Sequence, residues 1–309
     1  MEIKLSFIDK ALEMAKTLHK KKEKPEVPPL AESIPVGSPP VGSAILTERE
    51  IIPQDISYTA TRTMAVDRET LRRNKLIAGG GEVEAAVAEG YKLLRTHILQ
   101  RTKAEGRNTL MITGPQPGDG KTFTAINLAI SIAQEVNQSV LLVDADLRSP
   151  SIHRYFGLRV REGLVDHLTK GVPLHELLIN PEGLPKLVLL PGGRPITQAS
   201  ELISSHLMAD LVQELKHYYP NRYVLFDLPP LLTFADALAF APVVDGIIVV
   251  VEAGKTSRED IERCQEMLKK FNVLGFVLNK VEMLPSGYNY YPTNGKLTAK
   301  WKSMFSMFK

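Results

Sequence analysis

The sequence predicts an α/β fold in which a mostly parallel sheet is flanked by helices. Three observations lead there. Near-continuous apolar runs such as SVLLVD at 139–144 and GIIVVV at 246–251 alternate with segments of helical spacing, the pattern of strands buried on both faces. A glycine-rich turn ending in Gly120-Lys121-Thr122 joins one such strand to a helix. Aspartates stand at the ends of two further strands, Asp144 and Asp146 in one and Asp227 in the other, where ligands of parallel sheets bind.

Taken in order, residues 3–20 carry apolar side chains at helical spacing and run into KKKEK, so 1–24 reads as an amphipathic segment. Residues 25–80 contain PEVPP and PVGSPPVGS without a period, the composition of a flexible, disordered linker. The ordered domain is expected over 81–281. It opens with a helix, EVEAAVAEGYKLLRTHILQRT, followed by the strand NTLMIT and the helix KTFTAINLAISIAQEV. SVLLVDAD and LPKLVLLPGG supply two more strands, and SSHLMADLVQELKHYY a helix. RYVLFDLPP, DGIIVVVEA and NVLGFVLNK complete the strands, with TSREDIERCQEMLKKF a helix between the last two. Residues 282–309 hold a tyrosine cluster and an amphipathic tail.

Composition narrows the class. A 44% hydrophobic share with 24% charged residues is that of a soluble globular chain. A net charge of +3 is too weak to suggest nucleic acid as a partner. The single cysteine, Cys264, sits in a helical pattern, and no disulfide framework is possible, which favours a reducing compartment. No apolar run approaches the ~20 residues of a membrane span, and Lys4, Asp9 and Lys10 interrupt any secretory signal.

The crevice chemistry follows from residue types. A strand, a glycine-rich turn and a helix surround an anion with backbone N–H groups, aided by the helix dipole. Gly118 and Gly120 let the backbone approach phosphate, Lys121 reaches the β- and γ-phosphates, and the Thr122 hydroxyl suits Mg²⁺. Side chains at i and i+2 of a strand share a face, so Asp144 and Asp146 both face the crevice if the strand persists. Asp227 ends the apolar run RYVLFD as a Walker B acid does.

The set MITGPQPGDGKTF, LLVDADLRSP and VLFDLPP resembles the Walker A, Walker A′ and Walker B motifs of the bacterial tyrosine kinases, P-loop proteins unrelated to eukaryotic kinases. The resemblance spans roughly residues 80–280, and is narrower still toward the autokinases of exopolysaccharide and exosortase systems. Pro115 stands where the general P-loop has glycine, a variable position in this family, and Gly114 replaces the family's serine. The septum-placing and plasmid-partition ATPases (the MinD and ParA type) are the alternative, positioning ATPases without kinase activity. They carry a second lysine whose place is taken here by Gln116.

The resemblance implies an ATP- and Mg²⁺-dependent kinase acting on protein tyrosines. Pro117, Gly118, Asp119, Gly120, Lys121, Thr122 and Phe123 are then expected to hold the nucleotide, with Asn279 at its base. Thr122, Asp146 and Asp227 are expected at the metal, and Lys121, Asp144, Asp146 and Asp227 in catalysis. Asp144 is assigned the proton of the incoming tyrosine, with Asp146 the other choice. Tyr288, Tyr290 and Tyr291 are the expected phosphoacceptors, presented to a neighbouring subunit. Glu89, Lys92 and Arg95 match the family's E-x-x-R-x-x-R ring-forming motif, with lysine for the first arginine. Lysine keeps the charge but loses the bidentate fork.

The implied partners are further copies of the chain assembled in a ring, protein-tyrosine substrates, and a membrane activator of the polysaccharide chain-length-regulator type. The expected place is the cytoplasm, peripheral to the inner face of the cell membrane. In the tail, Leu297, Trp301, Met304, Phe305 and Phe308 follow helical spacing between lysines, a pattern suited to an anionic membrane surface or a membrane partner.

Overall fold

The protein is described by a computed structural model over residues 61–80, 82–218 and 221–281. The segment 1–24, most of the linker and residues 282–309, with Tyr288, Tyr290, Tyr291 and the tail, lie outside the described residues.

The described chain begins with strand β1 (Arg62–Met64) and helix α1 (Arg68–Arg73), then helix α2 (Glu82–Thr102). Strand β2 (Thr109–Thr113) leads through the glycine-rich turn into α3 (Lys121–Ala133), and β3 (Ser139–Asp144) follows. The short helices α4 (Ile152–Tyr155), α5 (Leu164–Lys170) and α6 (Leu174–Leu177) precede β4 (Ile179–Pro181) and β5 (Leu187–Leu190). The remainder is α7 (Ala199–Ile203), α8 (His206–Tyr218), β6 (Arg222–Asp227), α9 (Asp236–Phe240), β7 (Gly246–Glu252), α10 (Arg258–Leu268) and β8 (Val273–Asn279).

The eight strands form one sheet in the order β1-β4-β5-β3-β6-β2-β7-β8. All pairings are parallel except β4 with β5, so β4 and its parallel neighbour β1 run against the rest. The six expected strands and four long helices are present. Strands β1 and β4 are additions: three residues each is too short to display a period.

The sheet is covered on both faces, and strand alternation decides which residue serves which layer. Met111, Leu141, Val143, Val224 and Phe226 pack under α8, α9 and α10, in the layer that also holds Cys264. Leu110, Ile112, Val140, Leu142 and Leu225 pack under α2 and α3. In the first layer the rings of Phe226 and Phe240 meet edge to face at 4.9 Å between centroids. That contact seats α9 on β6 beside the acidic strand ends.

The upstream boundary differs from expectation. Residues 62–80, assigned from composition to the linker, belong to the fold. Asp67 caps α1 by accepting from the Glu69 and Thr70 amides at 3.2 and 3.0 Å. Asn74 donates to the Tyr155 carbonyl at 2.7 Å, and the Ile77 amide donates to Asn127 Oδ1 at 2.9 Å. Leu71 and Leu76 are buried against the α3 layer. These tertiary contacts order a segment whose local sequence carries little regular pattern.

Both rings of the Phe226–Phe240 pair are fully buried. Phe240→Ala is expected to cost about 3–5 kcal/mol of unfolding free energy, measured by urea denaturation. A cost below about 1 kcal/mol would mean that the cavity collapses or that the ring packs less closely than described.

Candidate active site

The glycine-rich turn sits at the centre of the sheet because β2 lies between β6 and β7. Its shape is fixed by what surrounds it. Gly120 precedes α3 with φ of 93°, a left-handed conformation that favours glycine, and a Cβ there would collide with the Asn279 amide. Gly114, in the place of the family's serine, has no room for a Cβ against the Val250 carbonyl. The turn is braced from within. Asp119, buried, accepts from the Gln116 amide at 2.7 Å through Oδ2 and from the Thr256 hydroxyl at 3.3 Å through Oδ1. From below, Thr113 donates to the Pro229 carbonyl at 2.8 Å, and the Leu231 amide donates to the Gly114 carbonyl at 2.8 Å.

Lys121, Thr122 and the acids converge. Register pairs Asp144 with Asp227 on adjacent parallel strands. The Thr122 hydroxyl donates to Asp227 Oδ2 at 2.6 Å. Lys121 is largely buried and lies in the field of Asp227, Asp146 and Asp119. Burial lowers its pKa, and those three carboxylates act against the shift. Asp227, fully buried, has its pKa pushed up to about 7 by desolvation, which the Thr122 bond and Lys121 only partly offset.

The two aspartates of the second motif differ in burial, and the charge of Asp146 still acts on Asp144, Asp227 and Lys121. Strand β3 ends at Asp144, so the extended geometry expected to reach Asp146 stops there. Asp144 is fully buried, and its Oδ2 accepts the Ser151 and Ile152 amides at 2.8 and 2.9 Å. Burial and then the charge of Asp227 raise its pKa well above the usual range, against the pull of those two amides. Asp146 is half-exposed and accepts the Ser149 amide at 3.1 Å. Its pKa is also raised, first by burial.

Other expected site residues fall as follows. Pro117 and Gly118 are exposed on the turn, while the Phe123 side chain packs on the α3 layer and leaves its backbone for an anion. Asn279, expected at the nucleotide base, donates through its amide to the Asp119 carbonyl at 2.9 Å. Lys280 beside it donates to the Gly118 carbonyl at 2.8 Å. The end of β8 thus clamps the turn. On α2, Glu89 and Lys92 pair with each other at 2.6 Å and stay exposed. Arg95 is committed within the fold, to Glu135 at 2.7 Å and the Ser131 carbonyl at 2.8 Å, so the expected motif is only partly free on the surface.

Sequence reasoning missed one group. Arg148 grips the buried carboxylate of Asp236 through Nε at 2.8 Å and Nη2 at 3.1 Å. It also donates to Ser200 Oγ at 2.8 Å and lies over the Phe234 ring at 4.5 Å. This ties the loop after Asp146 to the start of α9. The available signal was an isolated acid, Asp236, in the apolar stretch TFADALAFA.

The arrangement suits a magnesium-bound triphosphate. Asp144 Oδ1 and Asp227 Oδ1 are buried without a hydrogen-bond partner, which is costly unless a further group is received there. The donors are hard oxygens, a hydroxyl beside a carboxylate, and Mg²⁺ is commonly held by one or two carboxylates together with substrate phosphates. That requirement is met although the described residues contain no cluster of three or more His, Cys, Asp or Glu side chains able to hold a metal. No helix of the described residues is long and apolar enough to cross a membrane.

Residues 105–289 match a family model described as ParA, NUBPL iron-transfer P-loop NTPase. The chain is 35% identical over 222 residues to tyrosine-protein kinase YwqD of Bacillus subtilis (strain 168), covering 71% of this chain and 92% of that protein. It is 28% identical to the putative tyrosine-protein kinase CapB of Staphylococcus aureus, covering 67% and 91%. Among solved structures it resembles the chimerical protein CapA2B2 with a TM-score of 0.59 at 29% identity, over 63% of this chain and 85% of that one. It also resembles the kinase domain of Escherichia coli tyrosine kinase ETK, with a TM-score of 0.57 at 28% identity, over 65% and 80%. The family model and the relatives agree on a P-loop fold and differ in the activity they name.

The raised pKa of Asp227 has a consequence for stability. Its folded value of about 7 exceeds its ordinary value of 3.8, so the stability it contributes is present below pH 4 and lost as pH rises through 7. In EDTA, Asp227→Asn is expected to raise Tm at pH 8 and to lose that advantage near pH 4. An equal or lower Tm for the variant at pH 8 would contradict an uncompensated buried carboxylate.

On its motifs, its sheet and its relatives, the chain belongs to the bacterial tyrosine kinase family of P-loop proteins.

Proposed function

We propose that this chain is an ATP-dependent protein-tyrosine autokinase. The observation that carries the reading is the Thr122–Asp227 contact at 2.6 Å, with Lys121 in the same field and two orphaned carboxylate oxygens beside it. Phosphoryl transfer asks a protein mainly for positioning and charge neutralisation, and these residues supply both.

In this reading the turn from Pro117 to Phe123 offers backbone N–H groups to the phosphates, and Lys121 neutralises charge on the β- and γ-phosphates. Thr122 and Asp227 would hold Mg²⁺, with Asp146 reached through water, and the ion would offset the charge gathered on the transferring group. A tyrosine hydroxyl of a neighbouring copy attacks the γ-phosphorus. The bond from that phosphorus to the β–γ bridging oxygen breaks, ADP leaves, and the phenolic proton passes to a carboxylate. We assign that proton to Asp144. Its Oδ2 is held by two amides, which fixes the carboxyl plane and leaves Oδ1 to accept. A carboxylate with a raised pKa is also the better match to a phenol of pKa near 10. Asp146 is the more exposed alternative. The Asn279 amide acts as a clamp on the turn, and contact with the base is a further role we propose for it.

The acceptors are Tyr288, Tyr290 and Tyr291. Association of copies uses the exposed Glu89 and Lys92, with Arg95 rigidifying α2 from beneath. The resemblance to exopolysaccharide kinases carries the wider setting. That setting is a peripheral kinase at the inner face of the cell membrane, activated by a chain-length-regulator-type membrane protein and controlling polysaccharide synthesis or export.

Incubation with MgATP and anti-phosphotyrosine detection tests this. The wild type should label. Lys121→Met should fall to background with an unchanged circular dichroism spectrum, and the triple Tyr288, Tyr290, Tyr291→Phe variant should lose the label while still hydrolysing ATP. Hydrolysis by the wild type without phosphotyrosine would favour a positioning ATPase, for which Gln116 in place of the second lysine is an obstacle.

The two candidate bases separate by pH. Asp144→Asn should remove the acidic limb of the pH–rate profile and cut turnover by roughly 10²–10⁴-fold. Asp146→Asn should act mainly through the Mg²⁺ concentration required. The reverse pattern would move the proton to Asp146.

A further inference from the structure

We infer that the chain holds a second anion site, separate from the nucleotide crevice and built for a diphosphate-bearing small molecule. A cavity of about 760 Å³ opens beside the β1–β4 margin of the sheet, a volume within the range of small-molecule sites. Five arginines line it, Arg62, Arg154, Arg159, Arg161 and Arg194, drawn from β1, α4, the loop after α4 and the loop after β5. Among the described residues none of the five forms an ion pair. Arg194 does lower the pKa of Asp166 through its charge, but that carboxylate is already bound to Lys170 and the Gly163 amide.

Like charges gathered around one concavity repel each other, and a protein that keeps them unpaired is poised to receive an anion. Two carboxylates share the lining, Glu162 and Glu176, so the wall carries a formal surplus of three positive charges. A monoanion would leave most of that surplus in place, whereas an inorganic diphosphate brings three or four negative charges. Guanidinium pairs with phosphate oxygens in bidentate fashion, and all five side chains are exposed at the mouth or rim, free to turn inward. A second observation points the same way. His153 lines this cavity, and its Nδ1 is buried without a hydrogen-bond partner. A buried imidazole nitrogen left open in an arginine-lined wall is the kind of orphan that a ligand oxygen or its water satisfies.

The site has an address in the mechanism as well. The Ser151 and Ile152 amides bind Asp144, and the next two residues, His153 and Arg154, line the cavity. One short helix therefore joins the proposed anion site to a carboxylate of the crevice.

The test uses the full chain in EDTA, so that the magnesium-dependent crevice is weak, with inorganic pyrophosphate as the probe in titration calorimetry. Binding of one equivalent is expected in both wild type and Lys121→Met, weakening steeply with salt. Arg159→Glu with Arg161→Glu, two exposed positions that should leave the circular dichroism spectrum unchanged, should weaken it at least tenfold. Arg159→Lys with Arg161→Lys should weaken it less. Three outcomes would overturn the proposal. They are no binding to Lys121→Met, binding indifferent to the arginine substitutions, and tighter binding of free phosphotyrosine than of pyrophosphate. None of these readouts depends on kinase activity, so the site and the kinase reading stand or fall separately.

Discussion

Two carboxyl groups held side by side, away from water, set the terms for this domain. Asp144 and Asp227 end neighbouring strands in register and are both fully buried. Each keeps one oxygen satisfied, Asp144 by two amides and Asp227 by the Thr122 hydroxyl, and each leaves the other oxygen open. Desolvation and mutual repulsion make such a pair expensive to ionise. The surrounding structure reads as the means of keeping it in place: the edge-to-face rings of Phe226 and Phe240 under one strand end, the Arg148–Asp236 grip across the adjoining loops, and Lys121 supplying the nearest compensating charge. A cation at this point relieves a strain the folded chain already carries.

The turn above those acids is held by side chains from three directions. Asp119 braces it from within, Thr113 and the loop after β6 from below, and Asn279 with Lys280 from the last strand. Glycine at 114 and 120 is then a matter of space as much as conformation, since the Val250 carbonyl and the Asn279 amide occupy the volume a side chain would need. Preorganised backbone donors of this kind lose little on receiving an anion, because their ordering is complete beforehand.

The central sheet was legible in the sequence because its strands are long, apolar and separated by helices with clear periodicity. The three motifs bring Lys121, Thr122 and Asp227 close together for the same reason: each sits at a strand end or helix start that local pattern marks. What stayed hidden was tertiary. Strands β1 and β4 are too short to show alternation, and residues 62–80 are ordered by partners such as Asn127 and Tyr155, far away in sequence. The different exposures of Asp144 and Asp146 depend on where β3 stops, an element boundary that composition marks poorly. Arg95 read as part of a surface motif, because nothing local reveals that Ser131 on the next helix and Glu135 just past its end wait for it.

Strand β4 runs antiparallel to β5. Because β1 follows β4, it runs opposite to the main body of the sheet, and its first residue, Arg62, lies at the same rim as the last residue of β8, Asn279. Arg62 and Asn279 thus lie on the nucleotide side, at opposite margins separated by seven inter-strand spacings, roughly 34 Å. Two strand ends that far apart on one rim give each copy a left and a right hand, the asymmetry from which directional, head-to-tail association can grow.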